Sequence, residues 1–249
     1  MRQFLVKIRP IEGFAKVAHT FLTILIPVGV LILIKLGFYQ LAFSLVLLSK
    51  WRMVSVKPRF WAANIRANSI DIIVGLSIVS FMLRTSNIQV QIFWVVVYAL
   101  WMIYLKPGST LRLISVQAFI GMILGLTAVY LSWGGASLLI LTIVTGLICF
   151  VSARHFFDAF DEPYSRLLSY TWGYFGAAMA WLLAHLLIYY GFLAMPALLL
   201  GSLGYGIGTL YYLDHHSKVT KIIKQQIVFI MIALVILVIS FSKWGDRFI

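Results

Sequence analysis

The feature that most constrains this chain is the recurrence of apolar runs of membrane-crossing length, with Lys and Arg gathered into the short stretches between them. Charged residues fill only 11% of the 249 positions and hydrophobic ones 62%, whereas a globular domain carries about 25% charged residues. A water-soluble fold of this size would lack the charge to cover itself. The same composition suits a chain whose solvent is lipid, where segments of about 20 apolar residues become helices that satisfy their own backbone hydrogen bonds. The expected fold is all-α: a polytopic integral membrane helical bundle, one transmembrane domain over 1–249 led by a short basic segment at 1–16. No small-residue cleavage site follows that segment, so the first span reads as uncleaved.

The run at 17–49 is broken only by His19, Lys35 with Gly37, and Gln40. As one helix it would be about 50 Å long, too long for a hydrocarbon core of about 30 Å. A hairpin turning near Lys35 to Gly37 fits better, with Pro27 a source of a kink in the first arm. Its second arm is short, so 36–49 is either a span or a re-entrant or interfacial piece. Further spans are expected near 69–83, 91–105, 113–131, 136–151, 168–191, 194–213 and 227–242. The total is about nine, or eight if 36–49 does not cross.

Counting basic residues tests the parity. With nine spans and a cytoplasmic N-terminus, Lys35, Arg84, Lys243 and Arg247 fall on one side and the other sixteen Lys and Arg on the opposite side. A single crossing at 17–49 would weaken the split to twelve against seven and leave Lys35 in the bilayer. Positive-inside bias favours the hairpin and a cytoplasmic N-terminus in a plasma or inner membrane. The connections at 50–68, 154–166 and 214–225 then share the cytoplasmic face. The formal charge of +13 is dispersed between apolar runs instead of forming one basic surface, which argues against a nucleic-acid partner. Many of the eight Trp and twelve Tyr lie at run ends, as an interfacial aromatic belt requires. The single Cys149 sits in an apolar run and offers neither a disulfide nor a cysteine metal site.

Three polar clusters could carry chemistry. The stretch from Arg154 to Arg166 holds His155, Asp158, Asp161 and Glu162, and imidazole with carboxylates is a ligand set for a divalent cation. His155 and Asp158 are three apart, on one helical face, and a His beside a carboxylate can act as a base. The structural alternative is capping: Asp161 or Glu162 at the start of a helix whose first position is Pro163, and Arg154 with Asp158 as an i,i+4 pair. Asp214, His215 and His216 form the second cluster, and Asp214 and His215 could complete a metal set begun by His155, Asp158 and Asp161. A His at a helix C-terminus is also favourable by itself. The third is Asn64, Asn68 and Asp71 on one helical face, with Gly75 continuing it. Asp71 is the acid nearest the hydrocarbon, hence a candidate for proton or cation handling; its structural alternative is an ion pair with Arg66 or Arg59. Gln117 and His185 are the other polar groups inside spans, each expected to bond a neighbouring helix.

Lys218, Lys221 and Lys224 form a basic stripe before the last span, suited to anionic headgroups, and Arg66, Arg154 and Arg166 are further candidates for headgroup or phosphate contact. Small residues at Gly121 and Gly125, at Gly204 to Gly208, and at Gly176, Ala180 and Ala184 mark close helix approach, within one bundle or in a homodimer.

There is no phosphate-binding Gly-rich loop, Gly-x-Ser-x-Gly, His-Glu-x-x-His or paired His-rich box. Asp158-Ala159-Phe160-Asp161 faintly resembles part of one Asp-rich loop of the UbiA-type intramembrane prenyltransferases, but their full motif and its second copy are absent. Retinal proteins need a Lys in the last span, and 227–242 has none. The balance favours a non-enzymatic scaffold, assembly subunit or partner-binding component, with a small-solute carrier next and no cofactor. The competing reading is a membrane enzyme that holds Mg2+ or another divalent cation on Asp158, Asp161 and Asp214. It would act on a lipid or isoprenoid phosphate, with His155, Asp158 or Asp71 in catalytic roles.

Overall fold

The structure, a computed structural model, describes residues 13–53, 55–183, 189–190 and 193–241. Among these residues the chain forms nine α-helices: α1 Phe14–Lys35, α2 Tyr39–Leu48, α3 Trp61–Leu83, α4 Ile88–Leu100, α5 Leu111–Trp133, α6 Leu138–Ala159, α7 Ser165–Leu183, α8 Met195–His215 and α9 Lys221–Ser240. A π-helical turn, Trp101–Leu105, prolongs α4. A two-residue antiparallel ladder pairs Tyr189 with Ala194 and Tyr190 with Leu193 between α7 and α8.

The hairpin at Lys35 to Gly37 forms as its residues dictate. Gly37 takes φ +81°, its N–H bonds the Ile34 carbonyl at 3.1 Å and that of Phe38 bonds Leu33 at 2.9 Å, which closes α1 in a Schellman motif. Asn87, Thr110, Ser137 and Thr220 cap α4, α5, α6 and α9 with their side-chain oxygens, as short polar residues before apolar runs should. Gln91, buried in α4, sends its amide to the Met82 and Thr85 carbonyls at 3.0 and 2.8 Å and so supplies a donor at the α3 C-terminus, where carbonyls have no helical partner.

Five segments are long and apolar enough to cross a membrane: Pro58–Leu83, Ile88–Leu105, Leu111–Trp133, Leu138–Ala159 and Lys221–Ser240. The count of nine spans is corrected to five on these grounds. The ten residues of α2 cover only about 15 Å, half the hydrocarbon core. In α1 the apolar stretch Thr20–Lys35 is likewise shorter than a full span, and α7 and α8 have the length but are diluted by Ser, Thr, Tyr and Gly. The protein is a multi-pass, membrane-associated helical bundle. Exposed Trp51, Trp61, Tyr104 and Trp133 at or beside helix ends suit a lipid–water boundary.

One core joins α1 to α4 through Val30, Val46, Val74, Ile78 and Tyr98; a second joins α5, α6 and α8 through Met122, Leu126, Cys149 and Leu200. The small residues serve this packing within one chain. A Cβ on Gly121 would lie 2.8 Å from Ile70 and one on Gly125 2.6 Å from Ile73, so both glycines let α5 close on α3. Gly146 and Gly173 bring α6 and α7 to backbone contact, and Gly176 accommodates the Cys149 sulfur. Ala184 lies outside the described residues. At the periphery, α9 presents most of its apolar surface outward, with Ile222, Phe229 and Ile236 exposed, as a lipid-facing helix would.

Candidate functional site

The polar residues of the chain converge at one end of the bundle. The Asn64, Asn68, Asp71 and Gly75 stripe of α3 turns inward there. Asp71 is 9% exposed and Lys50, in the turn after α2, only 4%. Lys50 Nζ lies 3.2 Å from Asp71 Oδ2 and Lys106 Nζ 3.5 Å from the same oxygen, while the Trp101 indole N–H donates to Oδ1 at 3.0 Å. The π-helical turn brings Trp101, Met102 and Lys106 to this level; Met102 Sδ is 3.9 Å from the Lys50 ammonium. The expected partners Arg66 and Arg59 are therefore replaced by two lysines from other elements. Burial, opposed by Asp71 and assisted by Lys106, pulls the Lys50 ammonium down to about 8. Arg59 instead lies over the Phe60 ring, 4.6 Å from its centroid.

From Lys106 the polar contacts continue across α5 to α6. Gln117 donates its amide to the Leu105 carbonyl and to the Gly108 carbonyl at 3.1 Å, and its Oε1 meets His155 Nε2 at 3.1 Å. The sequence places 154–166 in a connection; α6 continues through Ala159 and carries Arg154, His155 and Asp158 on its last turns. Arg154 Nη2 lies 3.1 Å from Asp158 Oδ1, the expected i,i+4 pair, and Arg66 Nε 3.6 Å from Asp158 Oδ2. Arg66 belongs to α3, five residues or about 7.5 Å of rise before Asp71. The contacts thus run α3, α4, α5, α6 and back to α3, a closed polar ring around one end of four helices.

Beyond the ring, α6 meets α8 through aromatic side chains. Tyr211 packs edge-on to Phe156, Phe157 and Phe160 with centroids 5.1–5.7 Å apart, and its hydroxyl donates to Glu162 Oε2. The 155–162 and 214–216 clusters do meet, but through the Phe160 and His215 rings, 4.9 Å apart, and not through a shared ion. His216 Nδ1 lies 2.8 Å from the Tyr212 carbonyl oxygen.

The proposed metal set does not assemble: among the described residues no group of three His, Cys, Asp or Glu gathers to hold an ion. The reasons are local. Asp158 is held by two arginines and His155 by Gln117. Asp161 adopts φ 51°, with its N–H on the Asp158 carbonyl and the Glu162 N–H on that of Phe157, a Schellman motif that closes α6. Asp161 is thus a C-terminal cap, and α7 begins at Ser165, two residues after Pro163, with Glu162 Oε1 accepting from the Tyr164 N–H at 3.3 Å just ahead of it. Ser217 at φ 53° closes α8 in the same way, through Asp214 and Leu213 carbonyls. Lys221 and Lys224 lie in the first turn of α9, not ahead of it. His185 lies outside the described residues.

Sequence reasoning missed Lys50, Lys106 and Trp101 as partners of Asp71. One signal was present: each lysine ends an apolar run, so each had to find a counter-ion or reach water. No protein-family model, curated protein or solved structure matches the chain.

Proposed function

We propose that this is a multi-pass protein of the plasma or inner membrane, a single transmembrane domain, that works by holding a partner and not by catalysing a reaction, with its N-terminus and its ringed end on the cytoplasmic side. The observation that carries the non-catalytic reading is that the two carboxylates of the ring, buried Asp71 and half-buried Asp158, are already committed. Asp71 is held by Lys50, Lys106 and Trp101, and Asp158 by Arg66 and Arg154. Such pairs contribute specificity of arrangement more than free energy, which is what an assembly component uses.

Lys218, Lys221 and Lys224 with Arg166 supply the contact with anionic headgroups, each worth about 1 kcal/mol at a charged surface. A homodimer through Gly121, Gly125, Gly176 and Gly204 would have to use faces filled from within the chain, so a partner is better sought at the basic end. Enclosure of Asp71 counts against the carrier version, which requires that carboxylate to line an open polar path. The enzyme reading needs Asp158, Asp161 and Asp214 to share a cation. Metal content of the purified protein tests the proposal: no stoichiometric divalent ion is expected in the wild type or in Asp158→Asn/Asp161→Asn. A stoichiometric ion lost in that variant, with folding intact, would replace this reading with the enzyme.

A further inference from the structure

The ion pairs of the ring do not balance. Lys50, Lys106, Arg66 and Arg154 contribute four positive charges and Asp71 and Asp158 two negative ones, which leaves +2 among these groups. Two of the four cations, each beside a carboxylate, are withdrawn from water: the side chains of Lys50 and Arg154 are 3% and 11% exposed. Arg154 is nine-tenths buried, and its Nη1 has no hydrogen-bond partner. A buried guanidinium nitrogen without an acceptor is costly to leave so. Arg66 and Lys106, in contrast, are 48% and 34% exposed, so the ring is open to the outside at these two cations and closed at Arg154.

We propose that this ring binds a phosphomonoester, lipid-borne or free, with Arg154, Arg66 and Lys106 donating to its oxygens. The dianion matches the surplus of two charges. Planar guanidinium forks suit phosphate oxygens two at a time, and an ammonium adds a point charge. Monocarboxylates would leave one positive charge uncompensated, and a cation is repelled. Lys50 itself stays on Asp71. The placement of the ring at headgroup depth rests on the membrane orientation proposed above; the charge surplus does not.

The test uses the full chain in nanodiscs of phosphatidylcholine, with phosphatidic acid, phosphatidylserine or inorganic phosphate as probes, read by native mass spectrometry and by the thermal midpoint. Wild type should retain phosphatidic acid over phosphatidylserine, and Arg154→Gln and Lys106→Gln should each weaken retention about tenfold, or about 1.4 kcal/mol. The Lys218→Gln/Lys221→Gln/Lys224→Gln variant should weaken retention of both anionic lipids alike and keep the preference for phosphatidic acid over phosphatidylserine. Stabilisation by inorganic phosphate with the same dependence on Arg154 and Lys106 assigns the site to free phosphate and also supports the proposal. Where Arg154→Gln fails to fold, Lys106→Gln decides, because Asp71 keeps Lys50 and Trp101. Equal retention of the two lipids, unchanged binding in the ring variants, loss of the phosphatidic acid preference in the triple lysine variant, or no binding of any probe overturns it. None of these results bears on the metal content that tests the non-catalytic reading.

Discussion

Replacing Asp71 by Asn removes the single negative charge that faces Lys50 and Lys106 while keeping an oxygen for the Trp101 indole. Removing one partner of a buried ion pair costs about 3–5 kcal/mol, because the other charge is left uncompensated. Lys50 should account for most of it, being 3% exposed; the 34% exposed Lys106 can turn to water and contributes little. The full cost applies only while Lys50 holds its proton. Its ammonium is already lowered from 10.5 to about 8 in the folded chain, so at about pH 6 it is charged and at about pH 9 mostly neutral. Asp71→Asn should therefore lose about 3–5 kcal/mol at the lower pH and only about 1 kcal/mol at the higher, where little but the Lys106 contact is at stake. Unfolding by a denaturing detergent, followed by circular dichroism at both pH values, measures this. A loss below about 1 kcal/mol at the lower pH, or equal losses at both, would refute the claim that a buried Lys50–Asp71 pair organises this end.

The wild type should itself gain stability as pH rises from about 8 toward 10.5, because the unfolded chain keeps the Lys50 proton that the folded chain has released; in Lys50→Met this rise should vanish in the same titration. Asp161→Gly should raise stability by about 0.5–1 kcal/mol and Asp161→Val lower it by about 1–2 kcal/mol, since only the first relieves a positive φ. Gly173→Val should cost at least about 1–3 kcal/mol through overpacking where α6 and α7 touch at the backbone, whereas Gly208→Ala, whose nearest neighbour would lie 3.8 Å away, should be nearly neutral by thermal melting.

Local chemistry was readable from the chain. Gly37 marks the hairpin because a left-handed residue is needed there, and Asn87, Thr110, Ser137 and Thr220 announce helix starts through the hydrogen bonds they make. The Arg154–Asp158 pair was likewise visible, since four residues on a helix are neighbours whatever the fold. The inward face of α3 was visible in the spacing of Asn64, Asn68, Asp71 and Gly75, but not what would meet it. Lys50 and Lys106 reach Asp71 only through the relative heights of α2, α3 and α4, and those heights depend on packing such as Val46 and Tyr98 against Gly75. Asp161 was misread for a related reason. Acid before Pro163 suits the start of α7, yet the same residue, left-handed, closes α6; its conformation decides, and composition does not report it. The apolar runs also overcount spans, because α2 is short and α7 and α8 intersperse Ser, Thr, Tyr and Gly among their apolar residues.

The most direct test of the account is cysteine accessibility in intact cells, on a Cys149→Ala background that removes the one buried native thiol. Single cysteines at Ser55, Ser109 and Lys218 sample connections at the ringed end, and those at Thr85 and Gly135 sample the other end. A membrane-impermeant maleimide should label Thr85→Cys and Gly135→Cys in intact cells, and the remaining three only after the membrane is opened. Labelling of any of those three in intact cells, or equal labelling of both groups, would contradict a bundle whose charged ring faces the cytoplasm.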